Sequence, residues 1–243
     1  MVATAGSNVR ISPHPCTRAT QRCPDARDYT VELAECCRTH VRDLMVATRD
    51  FLNSIGAVWW ADYGTLLGAV RNPTTTWADY PWLRQTGRRT PGPAAGIVPH
   101  DKDGDLGVLM GSWDVALQKF PAFLAGRDFH LYKNVHRRSM KARLSYTNTT
   151  NVDVFFWHER ASALYRDHYA RVDRDKGKDF PLSLLFPLST VEWEGLTLPA
   201  PHDPEAFLEM RYGPNWRKPV AENTEAAAVR AGRLPDNVWC RSA

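Results

Sequence analysis

Two periods of apolar spacing run along this chain. Over residues 28–55, Val31, Ala34, Cys37, Val41, Leu44, Val46 and Phe51 approximate one stripe, with Arg38, Arg42 and Asp43 off it. That spacing predicts a helix, which Gly56 ends. Residues 57–62 (AVWWAD) predict a short strand running through Tyr63-Gly64-Thr65 into a second helix. Residues 106–110 predict a buried strand, and 112–124 a helix capped by Ser112. Further strands are predicted over 129–132, 140–146 and 151–157. The second of these alternates and places Lys141, Arg143 and Ser145 on one face. A charged helix is predicted over 158–179, apolar runs with turns over 181–198, and a short helix over 204–210.

Three stretches break the pattern. Residues 1–24 lack periodicity and read as a flexible N-terminal arm, and 221–243 as a C-terminal tail, leaving one domain over 25–220. Inside it, residues 72–96 hold Asn72-Pro73, Pro81, Pro91-Gly92-Pro93 and Gly96, with Trp77, Tyr80 and Trp82 among Arg84, Arg88 and Arg89. A loop of that length in a compact domain is functional or disordered. Its rings suit stacking on sugars.

Composition narrows the class. The chain has 243 residues, 43% of them hydrophobic and 24% charged, which suits a globular fold with a sizeable core. The net charge of +4 leans mildly toward anionic ligands, and no basic run marks a nucleic-acid arm. Five cysteines without a C-x-x-C pair argue against a zinc ribbon; free thiols are the favoured reading, with a Cys16–Cys23 bridge the alternative. No apolar run spans a membrane, and residues 1–24 lack a signal-peptide core. The chain is therefore expected to be cytosolic, or to lack its targeting segment. Asn148-Thr149-Thr150 is a glycosylation sequon of low specificity.

The chemistry concentrates at His100-Asp101-Lys102-Asp103-Gly104-Asp105-Leu106. Asp101, Asp103 and Asp105 alternate into the buried strand, so an extended chain sets three carboxylates on one side. Such packing repels unless a cation sits among them, and oxygen ligands favour Mg2+ or Mn2+. A polar turn before a strand is the simpler alternative. An EF-hand is excluded: Leu106 stands where Gly is required and Ser112 where Glu is required. Asp153 lies alone in an apolar strand and needs a metal, a cation or hydrogen bonds. Gly64-Thr65, between strand and helix, has the shape of a phosphate cradle or of an ordinary turn. Arg71 follows that helix and points toward the same site.

Three segments resemble the LicD and fukutin-related family: Asp62-Tyr63-Gly64-Thr65-Leu66-Leu67-Gly68-Ala69-Val70-Arg71, then Val98-Pro99-His100-Asp101-Lys102-Asp103-Gly104-Asp105-Leu106-Gly107-Val108, then Tyr212-Gly213-Pro214-Asn215-Trp216 with Pro219. The resemblance implies an α+β, nucleotidyltransferase-like fold, a mixed β-sheet flanked by helices, with 25–220 as the catalytic domain. It implies transfer of a phosphorylated alcohol, such as phosphocholine or ribitol phosphate, from a CDP-linked donor to a glycan hydroxyl. Asp103, Asp105 and Asp153 then serve as catalytic and metal-binding residues, and Gly64, Thr65 and Arg71 bind substrate. The sequence departs from the family at His100, where Trp is usual, and in the long span from Arg71 to Val98. Two other readings stand beside it: a metal-dependent glycosyltransferase using Asp-x-Asp, and a non-catalytic binding module. Only the first reading requires Asp153 to meet Asp103 and Asp105.

Overall fold

The structure, a computed structural model, describes residues 35–74, 76–80, 96–136, 138–144, 150–166 and 179–219. The arm at 1–24, the tail at 221–243, most of the loop (75 and 81–95), Ser145 and the sequon's Asn148 and Thr149 lie outside these residues. Helix α1 (Glu35–Ser54) forms on the expected stripe and buries Cys37, Val41, Leu44, Met45, Phe51 and Leu52. Gly56, at φ +65°, ends it in the left-handed region. A disulfide engages Cys37, so the free-thiol reading fails there. Strand β1 (Trp59–Ala61) leads into α2 (Tyr63–Arg71), and β2 (Asp103–Leu109) into α3 (Trp113–Ala125). Ser112 does not cap α3 with its side chain. It closes a 3-10 turn at Met110–Ser112 and is itself in helical conformation.

Strands β3 (His130–Asn134), β4 (Ser139–Arg143) and β5 (Asn151–Arg160) follow, close to where alternation placed them. The helix predicted over 158–179 is not found among the described residues. Residues 158–160 extend β5, and β6 (Ala163–Tyr165) folds back on them with Leu164 buried. The exposed Glu159 and Arg160 at a strand end mimic a solvated helix face. Then come β7 (Phe180–Pro181), α4 (Leu182–Leu185), β8 (Ser189–Trp193), β9 (Leu196–Ala200) and α5 (Pro204–Tyr212). Asp203 caps α5 by accepting from the Ala206 N–H at 2.9 Å, with Pro204 at the first helical position.

The described strands form a mixed sheet in the order β1-β2-β5-β4-β3, with β6 and β7 extending from the far end of β5, and a separate β8–β9 hairpin. Strand β2 pairs parallel with β5; the other pairs are antiparallel. This is the expected mixed sheet flanked by helices. Partners in register share a face. On one face lie Gly104, Leu106 and Val108 beside Val152, Val154 and Phe156. Met45 of α1 sits over Gly104, Trp113 of α3 meets Phe156 edge-on, and Phe51 stacks on Phe120 between the two helices.

The opposite face changes character along its length. At one end Gly107 lies beside Phe155, with Trp60 and Trp157 nearby; at the other stand Asp103, Asp105 and Asp153. Gly107 is required where it is, because a Cβ there would overlap the Trp60 indole. Gly107→Ala is accordingly expected to lower the unfolding free energy by about 1–3 kcal/mol in urea denaturation. Gly111→Ala, which meets no atom within 4 Å, should change it by less than about 0.5 kcal/mol.

Candidate active site

Carboxylate oxygens of Asp101, Asp103 and Asp105 lie within 4.8 Å of one another at the mouth of β2. Asp101 precedes the strand, and Asp103 and Asp105 project from it on one face. Burial pushes Asp103 well above the ordinary carboxylate range, and the charges of Asp101, Asp105 and Asp153 add to the shift. Asp105 is raised in the same direction, by burial first and then by Asp101 and Asp153. Register places Asp105 opposite Asp153 and Asp103 opposite Asn151, whose side-chain amide donates to Asp103 at 3.4 Å.

The Gly64-Thr65 turn is built onto this cluster. The Gly64 N–H donates to Asp105 Oδ2 at 2.9 Å, and Thr65 Oγ1 accepts from the Asp105 N–H at 2.7 Å. A Cβ on Gly64 would collide with the Asp101 carboxylate. Both groups therefore hold the acidic strand, an outcome that neither the phosphate-cradle nor the ordinary-turn reading had specified. The turn is fixed from behind by Asp62, fully buried at the N-cap of α2. Asp62 accepts from the Tyr63 N–H at 3.0 Å, from Trp157 Nε1 at 3.0 Å, and from Arg211 of α5. Tyr63 sits at φ +36°, a strained value for a residue with a Cβ. Its ring lies 4.8 Å from Phe155 and under the Arg211 guanidinium at 3.9 Å, and its hydroxyl accepts from Arg166 at 2.7 Å.

Asp153 faces the cluster from β5, and Lys141 of β4 donates to its Oδ2 at 2.7 Å. Its Oδ1 is buried and receives no hydrogen bond. Burial alone would lower Lys141, but Asp153, Asp103 and Asp105 outweigh it and hold the ammonium above its usual range. Asp153 thus has Asp105 beside it in register and Lys141 as its cation partner. Arg143 lies over the Tyr132 ring at 4.8 Å on the same sheet face.

Arg71 closes α2 and is buried, 4% exposed. His100, next to Asp101, is lowered to about 4, by burial first and then by Arg71 and Lys102. Tyr80 is not an exposed sugar platform: it is 1% exposed and donates to Asn72 at 3.1 Å, while Asn72 donates to Ile97 O at 3.0 Å. That polar knot ties the two ends of the loop. The side chains of Trp77 and Trp82 lie outside the described residues. Asp101 was absent from the carried-over ligand set although its parity matched. Asp62 and Arg211 were missed as well. An Asp directly before a helix signals a cap, but nothing local to Arg211 signals its pairing.

Residues 94–203 match the family model described as LicD/FKTN/FKRP, nucleotidyltransferase domain. Ribitol 5-phosphate transferase FKRP of Homo sapiens is 25% identical over 224 residues, 86% of this chain and 39% of its own length. Ribitol-5-phosphate transferase FKTN of Mus musculus is 26% identical over 217 residues, 87% of this chain and 40% of its own. The chain spans about two fifths of the length of these curated relatives. Among solved structures, the lincosamide antibiotic adenylyltransferase LnuA, lincomycin-bound, aligns at TM-score 0.37 with 12% identity, over 68% of this chain and 82% of that one.

The raised carboxylates set the sign of a pH effect. The folded chain keeps protons on Asp103 and Asp105 that the unfolded chain has already lost, so metal-free stability falls as pH rises above the ordinary carboxylate range. In chelator, the melting temperature should decline across that window, and Asp103→Asn should blunt the decline and raise the value at neutral pH by a few degrees. Millimolar Mg2+ or Mn2+ should raise the wild type and leave Asp103→Asn unmoved. Scanning fluorimetry checks both; equal metal responses would remove Asp103 from the site.

Proposed function

We propose, from the match of residues 94–203 to the LicD/FKTN/FKRP family model, that the chain is a metal-dependent phosphoalcohol transferase. The donor is CDP-linked, with ribitol phosphate the favoured group, and the acceptor is a glycan hydroxyl. One observation carries this reading: the carboxylates of Asp101, Asp103 and Asp105 converge on the face where Asp153 stands in register with Asp105.

The donor set fits a hard divalent ion, since every candidate ligand is a carboxylate oxygen and burial with mutual repulsion raises Asp103 and Asp105 despite the nearby Lys141. Mg2+ or Mn2+ held by Asp101, Asp103 and Asp105 supplies charge neutralisation at the diphosphate. In the reaction, the acceptor oxygen bonds to the phosphorus that carries the alcohol. The bond from that phosphorus to the CMP oxygen breaks, CMP leaves, and the hydroxyl proton passes to Asp153. Lys141 holds Asp153 by Oδ2, which leaves Oδ1 for that proton. Gly64 leaves space over the carboxylates, and Thr65 keeps the Asp105 backbone in place.

A donor screen tests the reading: CDP-ribitol, CDP-glycerol, CDP-choline and UDP-sugars, each with Mg2+ or Mn2+ and a glycan acceptor. CMP release, greatest with CDP-ribitol, is the expected outcome. UDP release without CMP would replace the reading with glycosyl transfer, and donor binding without release would leave a binding module. Asp153→Asn should lower kcat by roughly 10²-fold or more while the donor KM moves only a few-fold. Comparable loss in both would assign Asp153 to binding.

A further inference from the structure

We infer that Arg71 is an anion-binding residue whose ligand is a phosphate of the nucleoside-diphosphate donor. Only the identity of the anion rests on the transferase reading. Arg71 is 4% exposed, and none of the carboxylates among the described residues pairs with it. Its Nη1 reaches the Trp216 carbonyl at 3.5 Å, at the long limit of a hydrogen bond. Its Nε is buried and donates to nothing, and the Tyr80 ring lies at 5.9 Å. Trp216 is 1% exposed, and its indole Nε1 likewise lacks an acceptor. Two buried N–H donors, on residues brought together from α2 and from beyond α5, thus want the same thing: an acceptor.

Arg211 gives the contrast within the same molecule. It too is buried, yet Asp62 takes its charge and the Tyr63 ring lies under it. The charge of Arg71 instead reaches His100, which burial first and then Arg71 hold below the usual imidazole range. A guanidinium so placed is matched by an oxyanion, which accepts two of its N–H bonds at once. Position names the anion. Arg71 is in the last turn of the helix whose first turn carries Gly64 under Asp101 and Asp105. The two residues are about 10 Å apart along the axis, and helical side chains lean back toward the N-terminus. One phosphate at the carboxylate cluster and its neighbour toward Arg71 is an arrangement a diphosphate spans.

The experiment uses the full chain in EDTA, with inorganic phosphate and pyrophosphate as probes, read by calorimetry and by melting temperature. Wild type should bind pyrophosphate and melt higher with it. Arg71→Met should lose the response, and Arg71→Lys should bind at least tenfold more weakly, having lost the planar fork. Without anion, Arg71→Met should melt at or above wild type, because it removes a charge that has no partner; a purely structural cation predicts a lower value and overturns the inference. Asp103→Asn should keep the pyrophosphate response, which separates this site from the metal cluster. A chain that releases no CMP yet keeps the Arg71-dependent response refutes the transferase and not this site. A wild type that ignores both probes, or an Arg71→Lys variant with unchanged affinity should Arg71→Met not fold, overturns it.

Discussion

The buried pair of Asp62 and Arg211 is the contact on which the site depends. Both side chains are 0% exposed, and Asp62 also receives Trp157 Nε1 and the Tyr63 N–H. One carboxylate therefore joins the start of α2, the middle of β5 and the end of α5. Removing either partner of such a pair strands a charge out of water, a loss of about 3–5 kcal/mol. The pair also holds Tyr63 in its strained conformation, which in turn aims the Gly64 N–H at Asp105. Strain at the turn is tolerated because the surrounding bonds over-determine it.

Charge on the open sheet face is graded across the strands. Carboxylates stand on β2 and β5, a lysine and an arginine on β4, and an aromatic ring on β3, all in register. Lys141 is bonded to one carboxylate, Asp153, and its charge reaches Asp103 and Asp105 as well. One half of the face is apolar, and the other carries the carboxylates. This follows from β2 and β5 running parallel, since their acidic ends then meet at one end of the sheet.

Much of this was legible from spacing. Alternation exposed the acidic strand, and the cost of a lone carboxylate in an apolar run singled out Asp153 before any pairing was known. Helix α1 came from periodicity, and a short helix was expected over 204–210, where α5 lies. What was not legible depends on distant partners. Arg211 and Asp62 are 149 residues apart, and an arginine in an amphipathic helix looks like any solvated cation. Tyr80 reads as a surface ring because its partner Asn72 is hidden in the same loop. Residues 158–165 failed for the opposite reason: a short hairpin with charged ends imitates a polar helix. The Gly-Thr turn was found correctly, but which group its N–H meets is decided by β2, and the sequence around it is silent on that.

The strict parity of β2 has a consequence for how the chain finds its fold. Shifting the strand by one residue against β5 would turn Asp103 and Asp105 inward, against Met45 and Val152, and take Leu106 and Val108 off the face packed by α1 and α3. No such frameshifted sheet can be buried. The carboxylates thus act as frame markers during assembly, whatever they later bind. A chain in which they were replaced by apolar residues would lose its chemistry and, with it, the feature that makes the correct alignment of the two central strands the one that closes.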